Sequence, residues 1–380
     1  MNKILRNMDV INGLDDLEKL HHFDDFPVFM GCTQASADED VFSNMQWNIS
    51  KGSGMIQLNP LLPLDLLYAE SHGSGDIGAL WSEHHKQFAK FINTYGPESV
   101  LEIGGGHGIL SYEYEKFSTI DWTIIEPNPS PSKDLKAKFI KGFFDDKFEF
   151  DANVDTVVHS HVLEHVYEPN IFLSHLSGFL KEGQKAIFSL PNMEVMLKRN
   201  YTNCINFEHT VFMTEPYVEH LMSKHGFRQL DKLYFKEDHS IFYAYVKDSN
   251  VSEINLSVDL YSHNKSLYIE YISYHKKIIF DINKKIAGFD KDKSIYLFGA
   301  HVFSQYLIAF GLNTDQIVSV LDNDPKKQEK RLYGTDLKVE SPQVLSSQIS
   351  PIVIIKAGVY DQEIKDDILG NINQNVYFIG

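Results

Sequence analysis

Cysteine is nearly absent: the 380 residues contain two, Cys32 and Cys204. Two cysteines cannot build a disulfide framework or a four-cysteine zinc site. Basic residues are also in short supply, with 35 Lys and Arg against 52 Asp and Glu, a formal charge of -17. A chain this acidic is poorly suited to holding a nucleic-acid backbone. No apolar run reaches membrane-spanning length, and the N-terminus lacks the apolar core of a signal peptide. The expectation is a cytoplasmic protein without membrane or nucleic-acid partners, long enough for two or three domains. Composition says nothing about oligomeric state.

What is present is a strand running into a glycine cluster: Val100-Leu101-Glu102-Ile103-Gly104-Gly105-Gly106-His107-Gly108. Glycines admit positive φ and let a ligand approach the main chain. A turn of this kind at the carboxyl end of a strand is where open α/β sheets bind nucleotides. The turn lacks the Gly-Lys-Ser/Thr of a phosphate-binding loop and the full G-x-G-x-x-G of a dinucleotide site. A second buried strand, Trp122 to Glu126, ends in a carboxylate 20 residues after Gly106. That is the offset at which a nucleotide-binding sheet presents an acid to ribose hydroxyls.

The E-x-G-x-G-x-G pattern of Glu102, Gly104, Gly106 and Gly108 resembles motif I of class I S-adenosylmethionine (SAM) methyltransferases. The resemblance implies SAM as cofactor, with Glu102, Gly104, Gly105 and Gly106 near its methionine end and Glu126 on its ribose. It places the loop of Phe143, Phe144, Asp145 and Asp146 beside the adenine. Strands over 137–144, 154–160 and 186–190, with an antiparallel pair over 229–235 and 240–246, complete the pattern of that fold. The fold class is therefore α/β, a Rossmann-like methyltransferase sheet with a small irregular N-terminal module and a second Rossmann-like domain at the C-terminus.

The predicted domains are 1–75, irregular; 76–248, the methyltransferase; 249–290, a linker helix; and 291–380, where the β-α pattern restarts. Residues 45–58 read as two short strands about a glycine turn, shaped like a zinc knuckle with Ser50 and Ser53 at cysteine positions; no bound zinc is expected there, and the protein is expected to need no metal. Residues 67–75 read as a cap over the ligand. His84 and His85 lie in a helix over 78–95; adjacent helical residues do not share a face, so the pair is not a metal site by itself and reads as solvated histidines. His161-Val162-Leu163-Glu164-His165 matches the inverted zinc-protease pattern H-x-x-E-H. It follows a buried strand, where that motif needs a long helix, so a protease is not expected.

The order of these parts resembles the sugar C-methyltransferases that act on nucleotide-linked keto-deoxysugars. The carriers are Leu297-Phe298-Gly299-Ala300, Asp322-Asn323-Asp324-Pro325-Lys326-Lys327-Gln328, the 161–166 loop, and Ile205-Asn206-Phe207-Glu208-His209 against the family's I-Y-H-E-H. The resemblance implies a base that removes the proton beside the sugar ketone, after which the enolate takes the methyl group. It assigns the base to His209, positioning or proton shuttling to Glu208 and His165, and a place beside the cofactor to His161. A histidine suits this work because it titrates near the working pH. Asn206 and Phe207 depart from the family's Tyr and first His. The competing readings are an O- or N-methyltransferase on a sugar or other small metabolite, and a SAM-binding module without turnover.

Overall fold

The structure is a computed structural model that describes residues 3–67, 78–132, 135–150 and 153–380. Its contacts divide the chain into two units. The first comprises Met1–Glu18, Asn48–Val195 and Glu208–Ser262, and the second Lys19–Trp47, Met196–Phe207 and His263–Gly380.

The N-terminal stretch, expected to be irregular, contains strands β1 (Leu17–Pro27), β2 (Cys32–Thr33), β3 (Phe42–Ser50) and β4 (Ile56–Leu58), then a single-turn helix α1 (Leu64–Leu67). The alternation that marks a strand is blurred in β1, whose residues are mostly half-buried or exposed on both faces. The turn between β3 and β4 is held by serine: Gly52 and Ser53 donate backbone N–H groups to Ser50 Oγ at 3.1 and 3.0 Å. The Ser50 hydroxyl in turn donates to Asp16 at 3.2 Å. Of the predicted cap, 68–75 lies outside the described residues.

The first unit is built on seven strands: β5 (Ser99–Ile103), β6 (Asp121–Glu126), β7 (Lys138–Lys141), β8 (Thr156–Ser160), β9 (Lys185–Pro191), β10 (Phe227–Phe235) and β11 (Ser240–Lys247). Their order is β10-β11-β9-β8-β5-β6-β7, with β11 antiparallel to both of its neighbours and the other pairs parallel. This is the class I methyltransferase sheet that the sequence led us to expect. The central strands read as continuous apolar runs because helices cover both faces. On one face α2 (Ala79–Asn93) sets Phe88, Ala89, Phe91 and Ile92 against Val100, Trp122, Ile124, Val158 and Phe242. The other face carries His159, stacked on Phe188 with ring centroids 4.7 Å apart and edge-on to Phe172 of α4 (Pro169–Phe179). Chain order reverses between β5 and β8, so a crevice opens at their carboxyl ends. The helices α3 (Ile109–Tyr114), α5 (Met193–Lys198) and α6 (Glu215–Lys224) complete the succession up to β10.

The second unit holds a parallel sheet formed by β12 (Ile295–Phe298), β13 (Ile317–Leu321), β15 (Val339–Glu340), β16 (Ile352–Ile355) and β17 (Tyr377–Ile379), in the order β15-β13-β12-β16-β17, while β14 (Arg331–Leu332) pairs antiparallel with β2. Helix α7 (Leu260–Gly288) packs Ile279, Ile282 and Ile286 into its core. Asp322, at the end of β13, accepts from Ala300 N at 2.9 Å and Lys327 Nζ at 3.0 Å, so its carboxylate is engaged within the fold. Among the described residues no helix is long and apolar enough to cross a membrane.

Candidate functional site

The glycine turn closes β5 at the crevice. Gly104, Gly106 and Gly108 have φ of 75°, 44° and 75°, the left-handed region that favours glycine. A Cβ on Gly105 would lie 2.6 Å from Ile124 and 2.8 Å from the Glu102 carboxylate, whereas one on Gly106 would meet nothing within 4 Å. Gly105 is therefore packed against the sheet, and Gly106 is the point where a ligand can approach. Glu126 stands beside it, its two oxygens accepting from Gly106 N at 3.3 Å and Asn128 N at 3.1 Å. Each oxygen retains a lone pair for a hydroxyl donor.

Glu102 sits beneath the turn. It is buried and accepts the Trp122 indole N–H at 2.7 Å. Burial pushes its carboxyl up to about 7, an effect that Trp122 opposes and Glu126 reinforces. The two phenylalanines expected beside the adenine separate: Phe143 is 47 % exposed, and Phe144 is buried among Phe148, Phe172, His175 and Phe179. Phe143 is the ring available for stacking.

The loop after β8 brings a second group together. Thr210 N donates to the Glu164 carbonyl at 3.0 Å, which ties the 208–212 segment to this loop. Leu58 N to Thr210 O and Phe212 N to Ile56 O, both 2.9 Å, fix the same segment to β4. Arg6 clamps both sides, donating to Thr210 O at 3.1 Å and to Tyr167 O at 2.7 Å. The outcome is that the His165 and His209 rings meet edge to face with centroids 4.9 Å apart. Ligating atoms of Glu164, His165 and His209 all lie within 4.8 Å of one another. Glu164 is fully buried, neither of its oxygens has a hydrogen-bond partner among the described residues, and burial raises its carboxyl to about 7. A protonated His209 would act in the opposite direction. Glu208, the carboxylate singled out in the sequence, is half-buried, and its carbonyl accepts from Thr210 N at 3.0 Å. Glu164 is the acid that the sequence reading passed over; its only signal was membership of the H-x-x-E-H run.

His161 has positive φ (53°) and turns its ring inward, Nε2 to Ser240 Oγ at 2.8 Å and Nδ1 to Glu164 Oε1 at 3.3 Å. Its ring thus faces Ser240, with a hydrogen bond at Nε2, and the Glu164 carboxylate, which Nδ1 approaches without one. His84 corrects an expectation: it is fully buried, not solvated. It precedes Phe88 by one helical turn and so shares the apolar stripe of α2, a relation legible in the sequence. Burial holds His84, His161 and His239 well below the ordinary histidine range.

The crevice residues fit SAM: an open glycine for close approach, a carboxylate with free lone pairs beside it, and an exposed aromatic ring. Residues 79–232 match the family described as "Methyltransferase domain". No curated protein matches the sequence. Among solved structures, the chain is similar to the magnesium protoporphyrin IX methyltransferase of Synechocystis with bound SAH, at 13% identity over 46% of this chain and 90% of that one, TM-score 0.36. It is also similar to an O-methyltransferase family protein of Burkholderia thailandensis, at 14% identity over 45% of this chain and 57% of that one, TM-score 0.36. A third is the plantazolicin methyltransferase, at 12% identity over 44% of this chain and 84% of that one, TM-score 0.35. With the sheet order and the family match over 79–232 in agreement, the first unit carries a class I methyltransferase domain, an enzyme whose cofactor is S-adenosylmethionine.

Proposed function

We propose that the enzyme methylates the carbon beside the ketone of a nucleotide-linked keto-deoxysugar, with His209 as general base. The observation that carries this reading is the Glu164–His165–His209 group, a buried carboxylate with two imidazoles within 4.8 Å, on the loop that follows β8. When bound, SAM supplies an electrophilic methyl group. Glu126 holds the ribose hydroxyls, and Gly106 leaves room for the cofactor's main body. His209 takes the α-proton; the electron pair of that C–H bond delocalises onto the ketone oxygen as the enolate. The imidazolium so formed is stabilised by Glu164, whose charge interacts favourably with that of His209. His165 orients the His209 ring through their edge-to-face contact. Glu208 supports the same segment through the Thr210 backbone bond.

Carbon methylation requires a base, whereas an amine often needs only desolvation. The test is a screen of nucleotide-linked keto sugars deuterated at the α-carbon, read by product mass. Gain of a methyl group with loss of one deuteron supports the proposal. Methylation with the deuterium retained would assign the methyl group to oxygen or nitrogen, and SAM binding without turnover on any keto sugar would remove the sugar reading. The family's tyrosine position is Asn206 here, and Phe207 packs on Phe26 with ring centroids 5.9 Å apart. The chain therefore lacks the hydroxyl that the family has at position 206.

A further inference from the structure

Three histidines from distant parts of the chain converge beside the crevice: His84 on α2, His161 after β8 and His239 in the turn before β11. Each offers a ring nitrogen, and the three nitrogens lie within 4.8 Å of one another. The Trp81 ring covers all three, with centroids 5.2, 5.0 and 4.9 Å from those of His84, His161 and His239. His161 Nε2 and His239 Nδ1 both point at one atom, the Ser240 hydroxyl, at 2.8 and 2.6 Å. A hydroxyl has one proton, so it donates to one ring and accepts from the other. His84 has no such partner. It is fully buried, and neither of its ring nitrogens is hydrogen-bonded among the described residues. An imidazole buried in this way loses its water without compensation.

We propose that His84, His161 and His239 bind a zinc-type divalent cation. A site of three imidazoles and no thiolate suits zinc and its neighbours in the first transition row. Tetrahedral ligation at the usual Zn–N length of about 2.0–2.1 Å would set the nitrogens about 3.3 Å apart, an approach of up to about 1.5 Å from their present positions. Ligation through Nε2 leaves His161 Nδ1 facing Glu164 Oε1 at 3.3 Å, the carboxylate–histidine–metal relation that fixes a ligand's tautomer and orientation. Phe88, Phe235 and Phe242 pack around His84 and shield the ion from bulk water. A fourth coordination position remains for the Ser240 hydroxyl, a water or an oxygen of the acceptor. His161 would link the ion to Glu164, and this assignment does not depend on which atom of the acceptor is methylated.

The test is metal binding by the full chain, purified without a metal-affinity column, stripped with chelator and titrated with Co²⁺ and then Zn²⁺. Wild type should bind one equivalent, give the visible spectrum of nitrogen-ligated Co²⁺ and melt at a higher temperature with Zn²⁺. His239→Ala and His84→Phe, the latter matched to its phenylalanine surroundings, should lose the equivalent and the thermal shift. His209→Ala should keep both. Should His84→Phe fail to fold, His239→Ala alone decides. Folded wild type that binds no stoichiometric metal overturns the proposal, as does binding retained in His239→Ala. Loss of the ion in His209→Ala with retention in His239→Ala would place it on Glu164, His165 and His209 instead, and would equally overturn it.

Discussion

The indole N–H of Trp122 donates to the Glu102 carboxylate at 2.7 Å, across two parallel strands and beneath the glycine turn. Trp122 is in register with Val100 on β5, two residues before Glu102, so both side chains project from the same face of the sheet. The bond places a carboxyl group under Gly105 and fills the space that a side chain at 105 would need.

This pair makes stability depend on pH. The folded-state value of Glu102 is raised to about 7 from an ordinary 4.5, mainly by burial. Between those values the folded protein keeps a proton that the unfolded chain has released. The contribution is thus fully present below about 4.5 and is lost as pH rises through about 7, by up to about 1.4 kcal/mol per pH unit. Glu102→Gln keeps an acceptor for Trp122 and should remove this slope. Urea unfolding of both proteins across the window checks it, and parallel curves for the two would reject it.

Neighbouring glycines should respond differently to alanine. Gly105→Ala forces a Cβ to within 2.6 Å of Ile124 and should cost about 1–3 kcal/mol of stability as overpacking. Gly106→Ala meets no protein atom within 4 Å, so its structural cost is the positive φ of 44°, about 1–2 kcal/mol. Its larger effect should be on SAM affinity, because the methyl group occupies the approach to the turn. Thermal melts and calorimetry separate the two; equal affinity in Gly106→Ala and wild type would move the cofactor away from this residue.

Glu126→Ala should weaken SAM binding by roughly 1.5–3 kcal/mol, the loss expected for hydrogen bonds to a charged group. Isothermal calorimetry measures it directly, and unchanged affinity would take Glu126 out of the site.

His209→Ala should lower turnover by about 10²–10⁴-fold, leave SAM affinity nearly intact and abolish exchange of the acceptor's α-proton with solvent. Glu164→Gln should give a smaller loss and flatten the rate's dependence on pH near 7, where the Glu164 carboxyl titrates. Exchange that persists in His209→Ala would identify a different base.

The glycine turn, the strand-end Glu126 and the succession of strands were all legible in the sequence. Each is a local signal: a run of apolar residues, a break of glycines, a carboxylate at a fixed offset. That succession restricts the sheet order, because parallel β-α units admit few topologies. Glu102 was legible as part of the motif, but its commitment to Trp122 was not, since that depends on the register of two strands 20 residues apart. The partners of His209 were further from reach. Glu164 meets it through a backbone bond to Thr210, on a segment also pinned by β4 and by Arg6 from the start of the chain. His84, His161 and His239 are no closer in sequence than a helix, a loop and a hairpin can be. The sequence by itself determined the sheet and the cofactor turn, because their signals lie within single elements. Only the tertiary structure decided which acids and histidines face one another, because those contacts are made between elements whose separation along the chain no local pattern records.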